Sequence, residues 1–319
     1  GAAGGLMLRY TLRRLLAAPL MVLGVAAIVF SMVHLVPGDP AEYMLRDIGS
    51  PEAIAALRHS MGLDAPLYVQ YARFVWELAH GNTGVSLVTH RQVSDEIAAR
   101  FPHTVELAVA SMLVACAIGI PAGVLSATRP NSAFDHASRI AALLGVSMPT
   151  FWLGLVLMLI FALRLGVLPA FGQGGPPWTV DGLRSLVLPA VTLGAPSSAI
   201  IARMVRSSLL EVLGADYVRT ARAKGLPEGR VVRRHGLKAA FLPVLTVMGV
   251  QAGSLLAGAI VTETVFAWPG LGRLTVDAIL KRDLPLIQGS VLLFTLIFIA
   301  VNLLVDLSYG LLDPRIRYE

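Results

Sequence analysis

The side chains of this chain that could take part in specific chemistry are mainly cations, and they cluster in residues 215–240. This stretch, ADYVRTARAKGLPEGRVVRRHGLKAA, lies between apolar runs long enough to cross a membrane. Its basic residues, opposed only by Asp216 and Glu228, are Arg219, Arg222, Lys224, Arg230, Arg233, Arg234 and Lys238. Because each charge in hydrocarbon costs roughly 2.5 to 3.5 kcal/mol, the stretch must face water, and the positive-inside rule predicts the cytoplasm.

The spacing within this basic segment predicts two short helices with a sharp stop between them. Tyr217, Ala221 and Lys224 fall on one helical face. Gly225 follows as a helix C-cap would, and the next two residues, Leu-Pro, prevent continuation, so a second helix is expected over residues 228–237. Such a basic helix either lies on anionic lipid or docks a cytosolic partner, and composition alone leaves both readings open.

Signatures of catalysis and of metal binding are absent from the sequence. The pattern of a phosphate-binding loop needs Gly-Lys, whereas the lysines here follow Ala or Leu, and neither HExxH nor GxSxG occurs. Cys116 is the single cysteine, and His34, His103 and His136 have no ligand spacing. We therefore predict no catalytic residue and no metal site. The middles of the apolar runs carry no charge, which argues against a proton- or sodium-coupled carrier and against a charge-selective channel.

The composition is that of a membrane protein. Hydrophobic residues make up 55% of the 319 residues, charged residues only 14%, and the mean hydropathy is +0.71. A net charge of +6 would suggest nucleic acid as a partner for a soluble chain. Here the basic residues flank apolar runs, so membrane topology explains them and no nucleic-acid partner is expected.

Hydropathy and charge alternation predict an all-α integral membrane protein with six transmembrane helices and both termini in the cytoplasm. The expected spans are residues 15–36, 105–127, 140–163, 186–201, 241–261 and 286–305. Prolines should distort them: Pro121 interrupts the second span, Met148-Pro149 kinks the third, and Pro189 and Pro196 shorten and break the fourth.

The expected domain organisation follows from these spans. Residues 1–6 are predicted to be a tag remnant or disordered tail, and residues 7–36 to contain the first transmembrane helix. Residues 37–100, which are polar with an acidic excess, are predicted to form a helical extracytoplasmic insertion with helices starting at Pro51 and Leu67. Residues 101–319 would form the core, with the remaining five spans and a cytoplasmic loop over residues 211–238.

The basic segment resembles a known signature. DYVRTARAKGL and the following RVVRRHGLKAAFLPVL are similar to the cytoplasmic loop of permease subunits of binding-protein-dependent ABC importers, in the branch that serves dipeptides, oligopeptides and nickel. The family pattern is Glu-Ala-Ala, three residues, Gly, nine residues, Ile-x-Leu-Pro. Aligned on Gly225, this chain has Arg219-Thr220-Ala221 in place of Glu-Ala-Ala, and His235, Leu237 and Lys238 later. The acidic residue and the proline are missing, while the Arg-Thr-Ala form favours the peptide branch.

The resemblance extends over nearly the whole chain and implies a type I ABC importer permease fold with no bound cofactor. The implied partners are two cytosolic ATP-binding subunits, a second homologous permease and an extracytoplasmic solute-binding protein. The ATP-binding subunits would bind ATP and magnesium, and the chain itself would be embedded in the cell membrane. It implies an ATPase-coupling site of Asp216, Tyr217, Arg219, Thr220, Ala221, Arg222, Ala223, Lys224, Gly225 and Leu226. Met148, Gln251 and Ser254 are the expected pathway-lining residues.

The expected function is that of a permease subunit of an ATP-driven importer of dipeptides or oligopeptides. The same architecture could import nickel or glutathione. Two alternatives belong to other classes: an ATP-independent channel or carrier, and a membrane scaffold or receptor that only binds a partner.

Overall fold

The computed structural model describes residues 2–35, 50–60 and 62–312, and the regular structure within them is helical. In chain order the helices are α1 (Ala2–Leu35), α2 (Pro51–Ser60), α3 (Leu67–Ala79), α4 (Val93–Thr128), α5 (Ala133–Ser147), α6 (Thr150–Leu157), α7 (Val180–Leu213), α8 (Asp216–Ala223), α9 (Glu228–Arg230), α10 (Leu237–Val265), α11 (Leu271–Lys281) and α12 (Leu284–Leu312). Two π-helical segments continue α6 and α9, at Met158–Arg164 and Val231–Gly236.

Four of the described helical stretches are long and apolar enough to cross a membrane: Val93–Thr128, Val180–Leu213, Glu228–Val265 and Leu284–Leu303. The pair of α5 with α6 and its π-helical continuation raises the number to five if it counts as one span. Helix α1 begins at Ala2, and its apolar part, Ala17–Met32, is shorter. The chain is therefore a multi-pass all-α protein, and the count of six spans remains a prediction.

The fourth predicted span is neither shortened nor broken, which corrects the expectation based on Pro189 and Pro196. Both prolines lie inside the continuous helix α7, and 72% of its apolar window is buried. Helix α4 likewise continues through Pro121. A proline removes one backbone hydrogen bond, but in a buried span the neighbouring helices hold the chain straight and satisfy the freed group.

The third predicted span has a sharper break than a kink. Helices α5 and α6 meet at Met148-Pro149 with a bend of 109°. Met148 has extended backbone angles, φ −77° and ψ 132°, because the ring of a following proline disfavours helical geometry in the residue before it. The predicted position is confirmed, whereas the size of the bend is not visible from a single Met-Pro pair.

The described chain divides into two compact units, and the first consists mainly of residues 101–273. Helix α7 is its central element, with buried side chains along its length that pack against α4, α5, α6 and α10. Two glycines show how closely helices α4 and α7 approach. A Cβ at Gly119 would lie 2.6 Å from the Ser198 carbonyl oxygen, and one at Gly194 would lie 2.5 Å from the Ser111 carbonyl oxygen. Small residues thus allow the backbones of these apolar helices to come into contact.

The second unit contains most of α1, residues 50–100 and residues 274–299. Helices α2 and α3 are present at the positions predicted from Pro51 and Leu67. Gln70 of α3 donates to the carbonyl oxygens of Leu63 and Ala65, and Tyr71 donates to the Leu23 carbonyl of α1. Residues 37–49 of the predicted insertion lie outside the described residues, and its placement outside the membrane stays a prediction.

Candidate coupling surface

Helix α8 carries the predicted coupling residues and ends in a glycine cap. Gly225 has φ +76°, and its N–H donates to the Arg222 carbonyl at 2.9 Å. The Leu226 N–H reaches the Ala221 carbonyl at 3.4 Å, which completes the paired bonds of a Schellman motif. The helix stop predicted from Gly225 is confirmed, and it turns the chain towards α9.

One face of α8 is buried within the chain itself. Val218 is fully buried and Ala221 is 6% exposed, and both belong to a cluster with Val231. Leu213 at the end of α7 and Leu226 after the cap pack against the same cluster. The side chains of Val218 and Ala221 therefore fix the orientation of α8.

Arg222 joins three pieces of the segment. Its Nε and Nη2 donate to the two carboxylate oxygens of Glu228 at 3.1 and 2.7 Å, and its Nη1 donates to the Leu213 carbonyl oxygen at 3.2 Å. The hydrogen-bonded carboxylate raises the pKa of the Arg222 guanidinium further above its already high value. Although it is partly exposed, this arginine thus connects the end of α7, the helix α8 and the start of α9.

The other charged side chains of the segment point to the surface. Arg219 lies 3.5 Å from Asp216, and both side chains are highly exposed. The remaining exposed cations are Lys224, Arg230, Arg233, Arg234 and Lys238. The predicted residues Tyr217, Thr220 and Ala223 are exposed as well. One side of the segment is therefore a basic, solvent-facing surface, which we call the basic face.

The segment is continuous with the span that follows it. The predicted second helix does not end near residue 237, since α9 and its π-helical turns run without a break into α10 and form one stretch, Glu228–Val265. Val232 and Ala240 pack with Leu209 of α7 and Ala127 of α4. A displacement of α8 would therefore be transmitted to α7 and α10 together.

The predicted pathway residues lie at two different places. Gln251 is in the middle of α10, where its side-chain oxygen accepts a hydrogen bond from Ser197 of α7 at 2.9 Å. Ser254, one turn further along α10, is exposed and donates to the Val250 carbonyl. Met148 lies instead at the bend between α5 and α6. The structure thus places Gln251 and Ser254 on one helix, with an uncharged polar link to α7.

Sequence reasoning missed two polar constellations. Asp135, in the first turn of α5, is fully buried and accepts two hydrogen bonds from Arg206 of α7, each 2.7 Å long. Glu263, in the last turn of α10, is also fully buried and accepts from Thr104 at 2.7 Å and from the Arg273 N–H at 3.0 Å. A lone acidic residue at the end of an apolar run was the available signal, because such a charge needs a partner once buried.

The turn before α11 is built around the carboxylate of Glu263. A Cβ at Gly270 would collide with this carboxylate, and one at Gly272 would lie 2.9 Å from it. Trp268 in the same turn is fully buried and donates to the His103 carbonyl oxygen at 3.0 Å. The two glycines are required for close approach to the Glu263 carboxyl group, which accepts a hydrogen bond from the first turn of α11.

Within the described ranges, no three His, Cys, Asp or Glu side chains come together as metal ligands would. The buried carboxylates Asp135 and Glu263 are already occupied by donors from the chain itself.

Comparison with known families and proteins agrees with these features. Residues 119–318 match the family described as binding-protein-dependent transport system inner membrane component, and residues 7–108 match the N-terminal family of such membrane components. The dipeptide transport system permease DppB of Alkalihalophilus pseudofirmus is 45% identical, and that of Escherichia coli K12 is 44% identical. The glutathione transport system permease GsiC of Salmonella paratyphi A is 46% identical. Each alignment covers 98% of this chain and all of the relative.

Solved structures show the same fold at low sequence identity. A chain of the MetNI methionine ABC transporter in an inward-facing conformation matches 68% of this chain and 96% of its own, with a TM-score of 0.57 at 19% identity. A chain of an amino acid ABC transporter crystallised with histidines matches with a TM-score of 0.52 at 14% identity, over 68% of this chain and 94% of its own. The chain belongs to the family of binding-protein-dependent transport system inner membrane components, the transmembrane permease subunits of ABC transporters.

Proposed function

We propose that this chain is the B-type permease subunit of an ATP-driven importer of dipeptides or oligopeptides and forms half of its translocation pathway. The observation that carries the proposal is its 44 to 45% identity to two dipeptide permeases over their full length. Full-length similarity covers the core and the N-terminal region together. The similar glutathione permease favours a second candidate solute, glutathione, which is itself a short peptide derivative. Nickel remains a third solute that the same architecture could carry.

The proposed topology has six spans with both termini in the cytoplasm. It adds α1 and α5–α6 to the four long apolar stretches and places α2 and α3 in an extracytoplasmic insertion. The support is the charge distribution, since the basic face then lies in the cytoplasm as the positive-inside rule requires. Moving the segment to the other side would place six exposed cations outside.

The proposed partners are a second homologous permease, two cytosolic ATP-binding subunits and an extracytoplasmic solute-binding protein. The ATP-binding subunits would supply ATP and magnesium chemistry, and this chain would bind neither. Family membership supports partners of these kinds, because a binding-protein-dependent permease needs a receptor and an energy source.

We assign the contact with the ATP-binding subunit to the exposed residues of α8 and its cap, and a positioning role to the buried ones. The contact residues are Asp216, Tyr217, Arg219, Thr220, Ala223, Lys224 and Gly225. Ala221 presents no free surface, so it positions α8 together with Leu226, and Arg222 clamps α8 to α9. When the partner moves, α8 carries α7 and α10 with it as a rigid body.

The assignment of Gln251 and Ser254 to the pathway is supported by their uncharged polar side chains and by their position. Both are uncharged and lie on a span that is tied to the coupling segment. An amide and a hydroxyl can hydrogen-bond to a peptide bond without the desolvation cost of a charge. Met148, at the bend of α5 and α6, is assigned to the pathway as a flexible apolar contact.

Reconstitution tests the proposal. The complete complex is placed in proteoliposomes, and uptake of a labelled dipeptide is measured with ATP or with ADP supplied to the ATP-binding subunits. ATP-dependent uptake is expected. Uptake that is equal with ADP would indicate a channel or carrier, and absence of uptake of dipeptide, glutathione and nickel would leave a scaffold or receptor.

Charge reversal at the basic face tests the coupling role. Arg219→Glu with Lys224→Glu alters two exposed side chains and leaves the buried cluster intact. The reversal removes the ionic contacts that these two cations would make and puts carboxylates in their place, so retention of the ATP-binding subunit and uptake should each fall about tenfold or more. Lys281→Glu, an exposed reversal outside the basic face, is the control and should leave both unchanged. Full retention in the double variant would contradict the assignment.

A further inference from the structure

A basic cleft opens beside the last turns of α7, near the end that leads into α8. Its volume is about 790 Å³, and it lies between α4, α5 and α7. Its polar lining includes Ser126, His136, Arg139, Arg203 and Arg206. Nothing in the proposed coupling or pathway roles uses these side chains.

The charges of the cleft are not balanced by its own acid. The carboxylate of Asp135 is fully buried, and it is occupied by the fork of Arg206 at 2.7 Å and by the Asn131 N–H at 3.0 Å. Arg139 and Arg203 are exposed, and neither has an ion-pair partner among the residues that the structure describes. Two positive charges therefore remain at the cleft and attract an anion.

A buried hydroxyl in the cleft also lacks a partner. Ser126 of α4 is 1% exposed, and its Oγ has no hydrogen-bond partner in the described part of the protein. Buried hydroxyls are nearly always hydrogen-bonded, so an unpaired one lining a cleft marks a place where a ligand oxygen is missing. This observation is independent of the two arginines.

An apolar strip leads away from these polar groups along α5. Ile140, Leu143 and Val146 line the cleft and are 60%, 68% and 47% exposed. They follow one another at three-residue intervals on a helix of the broken third span, so they share one side of α5. A free anion would leave this strip uncovered, whereas a lipid chain would bury it.

We propose that this cleft binds one anionic phospholipid. The phosphodiester lies between Arg139 and Arg203 and accepts a hydrogen bond from Ser126, while an acyl chain runs along Leu143 and Val146. Basic pockets between membrane helices recognise lipid headgroups in this way, since the ionic contact is made at the edge of the hydrocarbon. In the proposed topology the site is in the inner leaflet, beside the attachment of α8. It does not depend on which solute is transported.

Native mass spectrometry of the purified complex tests the site. Phosphatidylglycerol and phosphatidylcholine are titrated separately, and the bound lipids are counted for the parent chain and for Arg139→Gln with Arg203→Gln. The affinity for phosphatidylglycerol should fall on the order of tenfold or more in the double variant, because each basic residue contributes about 1 kcal/mol. Phosphatidylcholine, whose choline cation offsets the phosphodiester charge, should bind more weakly to the parent chain and lose less affinity in the double variant.

Two matched variants separate the site from general charge. Arg129→Gln with Arg184→Gln removes the same net charge from exposed positions outside the cleft and should retain phosphatidylglycerol binding. Arg139→Lys with Arg203→Lys keeps the positive charge and should retain most of the phosphatidylglycerol binding. Equal loss in the control pair, or no loss in the cleft pair, would overturn the proposal.

The alternative occupants are distinguished by two further measurements. Leu143→Ser should lower the affinity for phosphatidylglycerol but leave the affinity for soluble glycerol phosphate unaltered, since only the lipid contacts the apolar strip. Glycerol phosphate that displaces the lipid at equal concentration would assign the cleft to a free phosphate and refute the lipid site. Loss of the second permease from the Arg139→Gln, Arg203→Gln complex would assign these arginines to a protein interface and equally refute it.

Discussion

The two ends of the stretch Glu228–Val265 use the same carboxylate chemistry in opposite ways. Glu228, at its start, is 59% exposed and forms a bidentate ion pair with Arg222. Glu263, near its end, is fully buried and accepts hydrogen bonds from the neutral donors Thr104 and the Arg273 N–H. One carboxylate organises a surface, and the other organises an interior turn.

The difference fits the proposed contact with a partner at the Glu228 end. At the Glu263 end, two glycines, a buried tryptophan and a buried carboxyl group are packed so closely that the local backbone has little freedom. At the Glu228 end, the inward-facing side chains around Val218 and Val232 are buried, while six further cations remain on the surface. A rigid turn at one end and an adjustable charged face at the other suit a helix that transmits motion applied at the basic face.

The largest expected effect comes from removing the buried carboxyl group of Glu263. Glu263→Ala leaves the Thr104 hydroxyl and the Arg273 N–H without their acceptor in a site closed to water. Each unsatisfied buried group costs about 1 to 3 kcal/mol, so with the cavity the total loss should be on the order of 3 to 5 kcal/mol. The measurement is the denaturation midpoint of the purified complex in detergent.

Two variants control this measurement. Glu263→Gln keeps a side-chain oxygen as acceptor and should lose clearly less than the alanine variant. Glu211→Ala removes an exposed carboxylate near the basic end of α7 and should change the midpoint very little. A Glu263→Ala complex as stable as its parent would show that the Glu263 carboxyl group does not stabilise this turn, and the contrast between the two ends would disappear.

The next effect tests the burial of the α8 face that carries Val218 and Ala221. Ala221→Asp places an unpaired carboxylate among Val218 and Val231, which should destabilise the chain by about 2 to 4 kcal/mol. Ala223→Asp makes the same change two residues further on, at an exposed position of the same helix, and should cost less than about 0.5 kcal/mol. Thermal unfolding of both variants measures the difference, and equal losses would contradict the burial of this face.

The elements that local rules control were predictable from the sequence. Proline at the first helical position predicted the start of α2, and the Gly-Leu-Pro stop predicted the end of α8 at Gly225. The exposure of the basic side chains was also predictable, because charge in hydrocarbon is costly wherever it occurs, while the side of the membrane stays a prediction. These signals act within a few residues, so one sequence is enough to detect them.

The features that depend on packing between distant segments were not predictable. Pro189 and Pro196 suggested a broken span, but burial against four neighbouring helices keeps α7 continuous. The ion pair of Asp135 with Arg206 joins residues of α5 and α7 that no periodicity links. The burial of Ala221 was missed because the segment was assigned by its charges, whereas the cluster around Val218 decides which face is free.

A smaller effect is expected at the glycine that ends α8. A Cβ at Gly225 would meet nothing within 4 Å, so Gly225→Ala tests the backbone alone at φ +76°. The left-handed conformation costs a residue with a Cβ about 1 kcal/mol. Gly229 also has open space but lies in the helical turn of α9, so Gly229→Ala should stabilise by up to about 1 kcal/mol. Opposite shifts of the denaturation midpoint are expected, and a loss of similar size in both variants would argue against the glycine cap.

The smallest expected effect is the coupling energy of the exposed Glu228 pair, which can be compared with that of the buried Glu263 pair. A double-mutant cycle on Arg222→Ala and Glu228→Ala should give a coupling energy of about 0.2 to 1 kcal/mol, as for other exposed ion pairs. Arg222→Ala alone should cost more than Glu228→Ala alone, because the arginine also donates to the Leu213 carbonyl oxygen. Added salt should reduce this coupling, since water reaches the pair, while the same cycle on Thr104→Ala and Glu263→Ala should be larger and insensitive to salt. Equal salt dependence of the two coupling energies would mean that water reaches both carboxylates to the same extent. The contrast between the exposed basic face and the buried turn would then be contradicted.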